Sequence, residues 1–171
     1  MKLNLNEIPR DIGYYLAGFA DGEGSFNISF RKRDDYTTGW KVSACFNVSQ
    51  KERIILTLFK QHLKCGTLRS RPDGIWYYEV NNLNALRENV IPFFWKFNFL
   101  SAKKKKDFST FCKIIKLLEF NDHHSIEGIQ KILELRENMN NGGNRKFSSQ
   151  EILDSIIKES PETVRQTQHL S

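Results

Sequence analysis

Cysteine is scarce in these 171 residues: Cys45, Cys65 and Cys112 are the only three, far apart and without a C-x-x-C pair. An odd, dispersed set argues against both a disulfide framework and a cysteine-based zinc site, and reduced thiols are expected. No stretch is collagenous, low in complexity or broadly disordered in composition. Long apolar runs are also missing. The most apolar segment, 91–100, is interrupted by Pro92, Lys96 and Asn98 and is far too short to span a bilayer. The opening residues, MKLNLNEIPRD, lack the apolar stretch of a secretory signal. An intracellular setting is therefore expected, in a prokaryotic cytoplasm or an organelle, with no membrane partner. No phosphate-binding G-x-x-x-x-G-K-[ST] loop occurs, so no nucleotide cofactor is expected. His123 and His124 are adjacent and read as loop or cap residues rather than ligands.

What the chain does have is concentrated basic charge. Its net charge is +6, yet residues 31–71 alone hold ten Lys or Arg against three acids, a surplus of seven. The remainder is close to neutral. A basic surface of this kind attracts polyanions, of which nucleic acid is the commonest.

Hydrophobic periodicity orders the elements. Residues 8–20 read as a helix, with Pro9 suited to its first turn and Asp11 to its start. The run Asp21-Gly22-Glu23-Gly24 is expected to stop it, since two glycines supply backbone freedom. The period then becomes two. Phe26, Ile28 and Phe30, then Val42, Ala44, Phe46 and Val48, alternate with polar residues across a loop at 34–39, which predicts a hairpin with one buried face. A helix over 51–63, its apolar stripe including Ile54, Ile55, Leu58 and Phe59, precedes a second hairpin, 67–71 and 75–80, around Pro72-Asp73-Gly74. In that hairpin Trp76 and Tyr78 are expected inside, Tyr77 and Glu79 outside. Further helices are expected at 83–90, 103–120, 125–139 and 148–158, the last two joined by 140–144. The order predicts an α+β fold, αββαββα, with a four-stranded antiparallel sheet and extra C-terminal helices. The predicted domain spans 1–160, its core about 7–120 and its C-terminal helices about 121–160, with a flexible tail at 161–171.

The polar face of that sheet would carry Asn27, Ser29, Arg31, Arg33, Lys41, Ser43, Asn47, Arg69 and Arg71, with Tyr77 beside them. Such side chains contact phosphates and base edges, and paired strands fit a DNA major groove. An ordinary solvent-facing sheet would mix in many acids.

Helix 8–20 shows why a second copy is expected. Gly18 in mid-helix costs about 1 kcal/mol against Ala, and close approach of another helix is the usual compensation. Asp11, Tyr14, Gly18, Asp21 and Gly22 fall on one stripe, while Ile12, Leu16, Phe19 and Ala20 fall elsewhere and can enter the chain's own core. This stripe occurs once in the sequence, so its partner must come from a second chain through a two-fold contact. Such a homodimer would set two Glu23 carboxylates near its axis, at helix ends that already carry partial negative charge. A carboxylate there, with the Gly22 carbonyl, makes a hard-oxygen site suited to Mg²⁺.

Residues 16–24, Leu-Ala-Gly-Phe-Ala-Asp-Gly-Glu-Gly, resemble the LAGLIDADG signature of homing endonucleases and intron maturases, in the single-motif, homodimeric class. The resemblance runs through about residues 7–120. It implies a Mg²⁺-dependent endonuclease, with Mn²⁺ or Ca²⁺ able to substitute in binding, that cuts double-stranded DNA at a long, roughly palindromic target and leaves 3′ overhangs. It also implies Glu23 as the metal-binding acid. Asn47-Val48-Ser49-Gln50-Lys51 resembles the segment whose glutamine lies beside the active site, which points to Gln50, with Arg53 a nearby basic residue. The run from Ala102 to Phe108 resembles the family's lysine ahead of a helix. Lys104 is favoured there, with Lys103 and Lys105 as alternatives, to stabilise developing phosphate charge.

Overall fold

The structure, a computed structural model, describes residues 3–140 and 145–158. Its elements follow the αββαββα order. Helix α1 (Arg10–Glu23) leads into strands β1 (Gly24–Lys32) and β2 (Trp40–Gln50), helix α2 (Arg53–Leu63), and strands β3 (Thr67–Ser70) and β4 (Trp76–Val80). Then come α3 (Leu83–Ala85), a π-helical turn (Leu86–Val90), α4 (Ile91–Lys96), α5 (Ala102–Glu119), α6 (Ile126–Glu137) and α7 (Ser149–Lys158). The four strands form one antiparallel sheet in the order β1-β2-β4-β3.

Alternation along the strands divides the sheet as its sequence predicts. Phe26, Phe46, Val48, Tyr78 and Val80 are buried under the helices. Their aromatic rings continue into α4 and α5: Phe26 lies 4.9 Å from Phe111 and 5.3 Å from Phe108, and Phe46 lies 5.1 Å from Phe94. Trp76 is half-buried and Tyr78 fully buried, whereas Tyr77 and Glu79 pair with Ser49 and Asn47 on the other parity. In α2 the buried stripe is Leu56, Phe59 and Leu63, with Ile55 and Leu58 at its margin. Ile54, expected on that stripe, is 67% exposed because its position on the helix turns away from the sheet.

Three expectations are corrected. Helix α1 does not stop at Asp21-Gly22; it runs through both to Glu23, and Gly24 caps it with an extended backbone, φ −78° and ψ 150°. Glycine is needed at 24 for space rather than for a left-handed turn, since a Cβ there would sit 2.6 Å from the Ala20 carbonyl oxygen. The helix expected at 83–90 continues to Lys96 through Pro92. The π-turn immediately before that proline widens the spiral where a ring and a missing N–H would strain a regular α-helix. Finally, β1 ends at Lys32, so Arg33 belongs to the hairpin loop rather than the sheet face.

The C-terminal helices complete the core. Ile129, Ile132, Leu133, Met139, Ile152 and Ile156 are buried in it. Trp40 at the start of β2 donates Nε1–H to Ser155 Oγ at 2.8 Å and lies 5.0 Å from Phe147, so α7 supports the hairpin end of the sheet. The connecting residues 141–144 and the expected tail at 161–171 lie outside the described residues.

Candidate active site and nucleic-acid interface

Helix α1 has two unlike faces. Gly13, Leu16, Ala17 and Ala20 are buried, and Ile12 and Phe19 pack partly against the core. Asp11, Tyr14, Tyr15, Gly18, Gly22 and Glu23 are exposed. Both glycines on the outer face are open: a Cβ at Gly18 or Gly22 would meet nothing within 4 Å. Tyr14 lies edge-on to Phe97 at 5.3 Å. Asp21 differs from the others on the stripe, because its carboxylate is engaged within the chain. It accepts from the backbone N–H of Leu100 at 3.0 Å and of Ser101 at 2.9 Å, and from Ser101 Oγ. Partial burial works to raise the Asp21 carboxyl, but the Ser101 and Leu100 hydrogen bonds outweigh it and hold it below the usual range.

Those bonds position α5. Ser101 is the N-cap of that helix, accepting from Lys104 N at 3.2 Å, so Asp21 ties the end of α1 to the start of α5. The tie turns one lysine of the run inward. Lys104 is half-buried and donates from Nζ to the Gly24 carbonyl, directly after Glu23, while Lys103, Lys105 and Lys106 are exposed. Burial lowers the Lys104 pKa, against the pull of Asp107, Asp21 and Glu23.

Strand register brings a third group to the same end. Gly24 pairs with Val48, which leaves Gln50 two residues farther on, about 7 Å along the strand. Gln50 pairs with Trp76, and its Oε1 accepts from Lys51 N at 2.8 Å. The Arg53 guanidinium lies over that Trp76 ring at 4.8 Å. Glu23, Gln50, Lys104 and Arg53 thus share one end of the sheet. Among the described residues no group of three or more His, Cys, Asp or Glu could hold a metal ion. The donors that fit a hard cation here are the exposed Glu23 carboxylate and main-chain oxygen of the last turn of α1, and one chain contributes one such carboxylate.

The outer sheet face carries Asn27, Ser29 and Arg31 on β1, Lys41, Ser43, Cys45 and Asn47 on β2, and Arg69 on β3, all in register. Three of the predicted cations also make contacts within the chain. Arg33 makes a two-pronged pair with Asp35, at 2.7 and 2.8 Å. Arg71 lies beyond β3, its guanidinium 3.7 Å from the centre of the Tyr77 ring. Glu79 lies on the basic face and is paired with Arg69.

A family model described as LAGLIDADG endonuclease matches residues 16–115, more than half of the chain. The chain belongs to the LAGLIDADG endonuclease family. Among relatives, it is 26% identical to the homing endonuclease I-ApeII of Aeropyrum pernix over 84% of this chain and 87% of that one. It is 31% identical to a probable intron-encoded endonuclease of Neurospora crassa over 75% of this chain but only 29% of that one. Among solved structures, the homing endonuclease I-TnaI superposes with a TM-score of 0.77 at 29% identity, covering 87% of this chain and 98% of that chain. The archaeal homing endonuclease I-Vdi141I complexed with DNA gives 0.77 at 29%, covering 86% and 95%. With the meganuclease I-SmaMI bound to uncleaved DNA and calcium the TM-score is 0.74 at 27%, and this chain covers 86% of itself but 49% of the other. One LAGLIDADG unit is therefore a nearly whole chain in some relatives and about half of a chain in others.

Proposed function

We propose that this LAGLIDADG protein is a homodimeric, site-specific double-strand DNA endonuclease that requires Mg²⁺ and leaves 3′ overhangs at a long, pseudo-palindromic target. The observation that carries this reading is the outer face of α1, bare at Gly18 and Gly22 and ending in an exposed Glu23. Packing that face on a second copy joins two half-sites and aligns two basic sheets along one duplex. The match to one half of I-SmaMI supports the same pairing, and the DNA bound to I-Vdi141I supports a duplex partner.

Each residue has a distinct task. Glu23 and the Gly22 carbonyl would hold the metal. A bound Mg²⁺ would supply Lewis acidity there. Lys104, held beside Glu23 through the Gly24 carbonyl, places positive charge where the phosphate gains negative charge. Gln50 orients water at the end of β2, and Arg53 grips a phosphate beyond it. Asn27, Ser29, Arg31, Lys41, Ser43, Asn47, Arg69, Arg71 and Tyr77 contact bases and backbone along the sheet, while Arg33 does so from the loop.

The test uses a duplex made by joining the two DNA sequences that flank the coding element. Wild-type protein should cut it only with a divalent metal, and Glu23→Gln should bind it normally while losing at least about a thousandfold in cleavage rate, the scale of several kcal/mol of metal catalysis. Near-normal cutting by the variant would sink the mechanism. Binding without cutting by the wild type would make the protein a nucleic-acid binder instead.

A further inference from the structure

A cavity of about 270 Å³ opens at the free edge of β1, lined by residues 27–30 of the strand and by Arg136, Asn140, Arg145 and Lys146. Its position is held from both sides. Asn140 donates Nδ2–H to the Phe26 carbonyl at 2.8 Å, and its own N–H donates to the buried Asp107 at 3.2 Å.

Arg136 is the unusual member. It is 6% exposed, its guanidinium lies 5.1 Å from the Phe30 ring centre, and its Nε and Nη1 atoms have no hydrogen-bond partner among the described residues. Burial, and secondarily the charge of Arg145, push its pKa down. The adjacent Glu137 offsets this only in part, because it is paired with Arg145 and accepts from Ser149 Oγ at 2.5 Å. Arg145 donates to the Arg136 main-chain carbonyl at 2.6 Å, which keeps the second guanidinium close. A buried cation with unused donors is costly unless an anion completes it. Among the described residues the cavity lining contains three cations and no carboxylate, and its volume far exceeds the ~30 Å³ share of one water. A guanidinium fork beside further positive charge matches the oxygens of a phosphate.

We propose that this cavity is a phosphate subsite in which Arg136 binds a backbone phosphate of a duplex lying across the sheet. The assignment rests on the DNA reading above, because residues 27–30 of both faces place the cavity at the β1 edge, where Asn27 and Ser29 border the basic face. It gives the C-terminal helices a second task besides supporting the sheet.

The test is fluorescence anisotropy with a mixed-sequence duplex across a chloride series, since a phosphate contact is independent of sequence. Arg136→Met should weaken binding about tenfold, as for one charge-assisted contact. It should also make the salt dependence shallower by about 0.9 per protomer. Arg136→Lys should keep the wild-type slope. A wild-type slope in Arg136→Met overturns the subsite and leaves the DNA reading intact, whereas a wild type that ignores the duplex overturns both. A second arm compares thermal unfolding in inorganic phosphate and in chloride at equal ionic strength. Stabilisation of wild type but not Arg136→Met by phosphate, with unchanged duplex binding, would assign the cavity to free anions and overturn the backbone role. Should Arg136→Met not fold by circular dichroism, the wild type decides. Phosphate should then displace the duplex more strongly than chloride at equal ionic strength, and equal displacement overturns the proposal.

Discussion

The two faces of α1 use glycine for opposite reasons. On the inner face, a Cβ at Gly13 would sit 2.3 Å from the Phe97 ring, so that glycine is demanded by the chain's own core. On the outer face, a Cβ at Gly18 would meet nothing within 4 Å, and no contact among the described residues offsets its cost to the helix. The contrast teaches that a glycine's burden must be read against its surroundings. One of these glycines reports on the fold, the other on a surface that the fold leaves open.

Substituting the two positions should separate these roles. Gly18→Leu should have the larger functional effect. The isolated chain gains helix propensity, but overpacking in both copies costs roughly 2 kcal/mol or more. That weakens the dimer about thirtyfold or more. Sedimentation velocity should show monomer, and cleavage should fall with it; a stable, active dimer would refute the assignment of this face. Next, Lys104→Met, at the start of α5 beside the end of α1, acts on the chemistry rather than on association. Loss of one preorganised charge should lower cleavage about 10²- to 10³-fold with little change in duplex affinity. Because burial depresses the Lys104 pKa, the active protonated form is lost as pH rises, and the alkaline decline in wild-type cleavage should begin below the ordinary lysine value of 10.5. A rate–pH profile that is unchanged by the substitution would remove Lys104 from the reaction. The smallest expected effect is Gly13→Ala, where shifting Phe97 should cost about 1–3 kcal/mol of stability in urea unfolding. Association should change less than for Gly18→Leu; the reverse ranking would contradict the division of the helix.

Much of this frame is legible in the chain. Alternation at 26–30 and 42–48 reads directly as a sheet with one aromatic and one basic face, because strand side chains alternate regardless of what packs on them. The register of β4 follows from the same rule, and so do the outward positions of Tyr77 and Glu79. Where local signals fail, a distant contact has intervened. Gly22 carries the freedom to end α1, yet the helix passes through it. Arg33 continues the strand's alternation but turns to Asp35 in the loop. Pro92 reads as a break, and a π-turn absorbs it.

The sequence by itself determined the family signature, the two-period strands, the concentration of basic charge and the identity of Glu23 as the exposed acid at a helix end. These are properties of neighbours along the chain, so spacing alone carries them. Only the tertiary structure decided which of four successive lysines turns inward. That choice depends on Asp21 capturing Ser101 eighty residues away, which sets the start of α5 and brings Lys104 to the Gly24 carbonyl. Tertiary structure likewise placed Arg136 beside Phe30, because burial of a guanidinium depends on what packs around it and not on the residues that flank it.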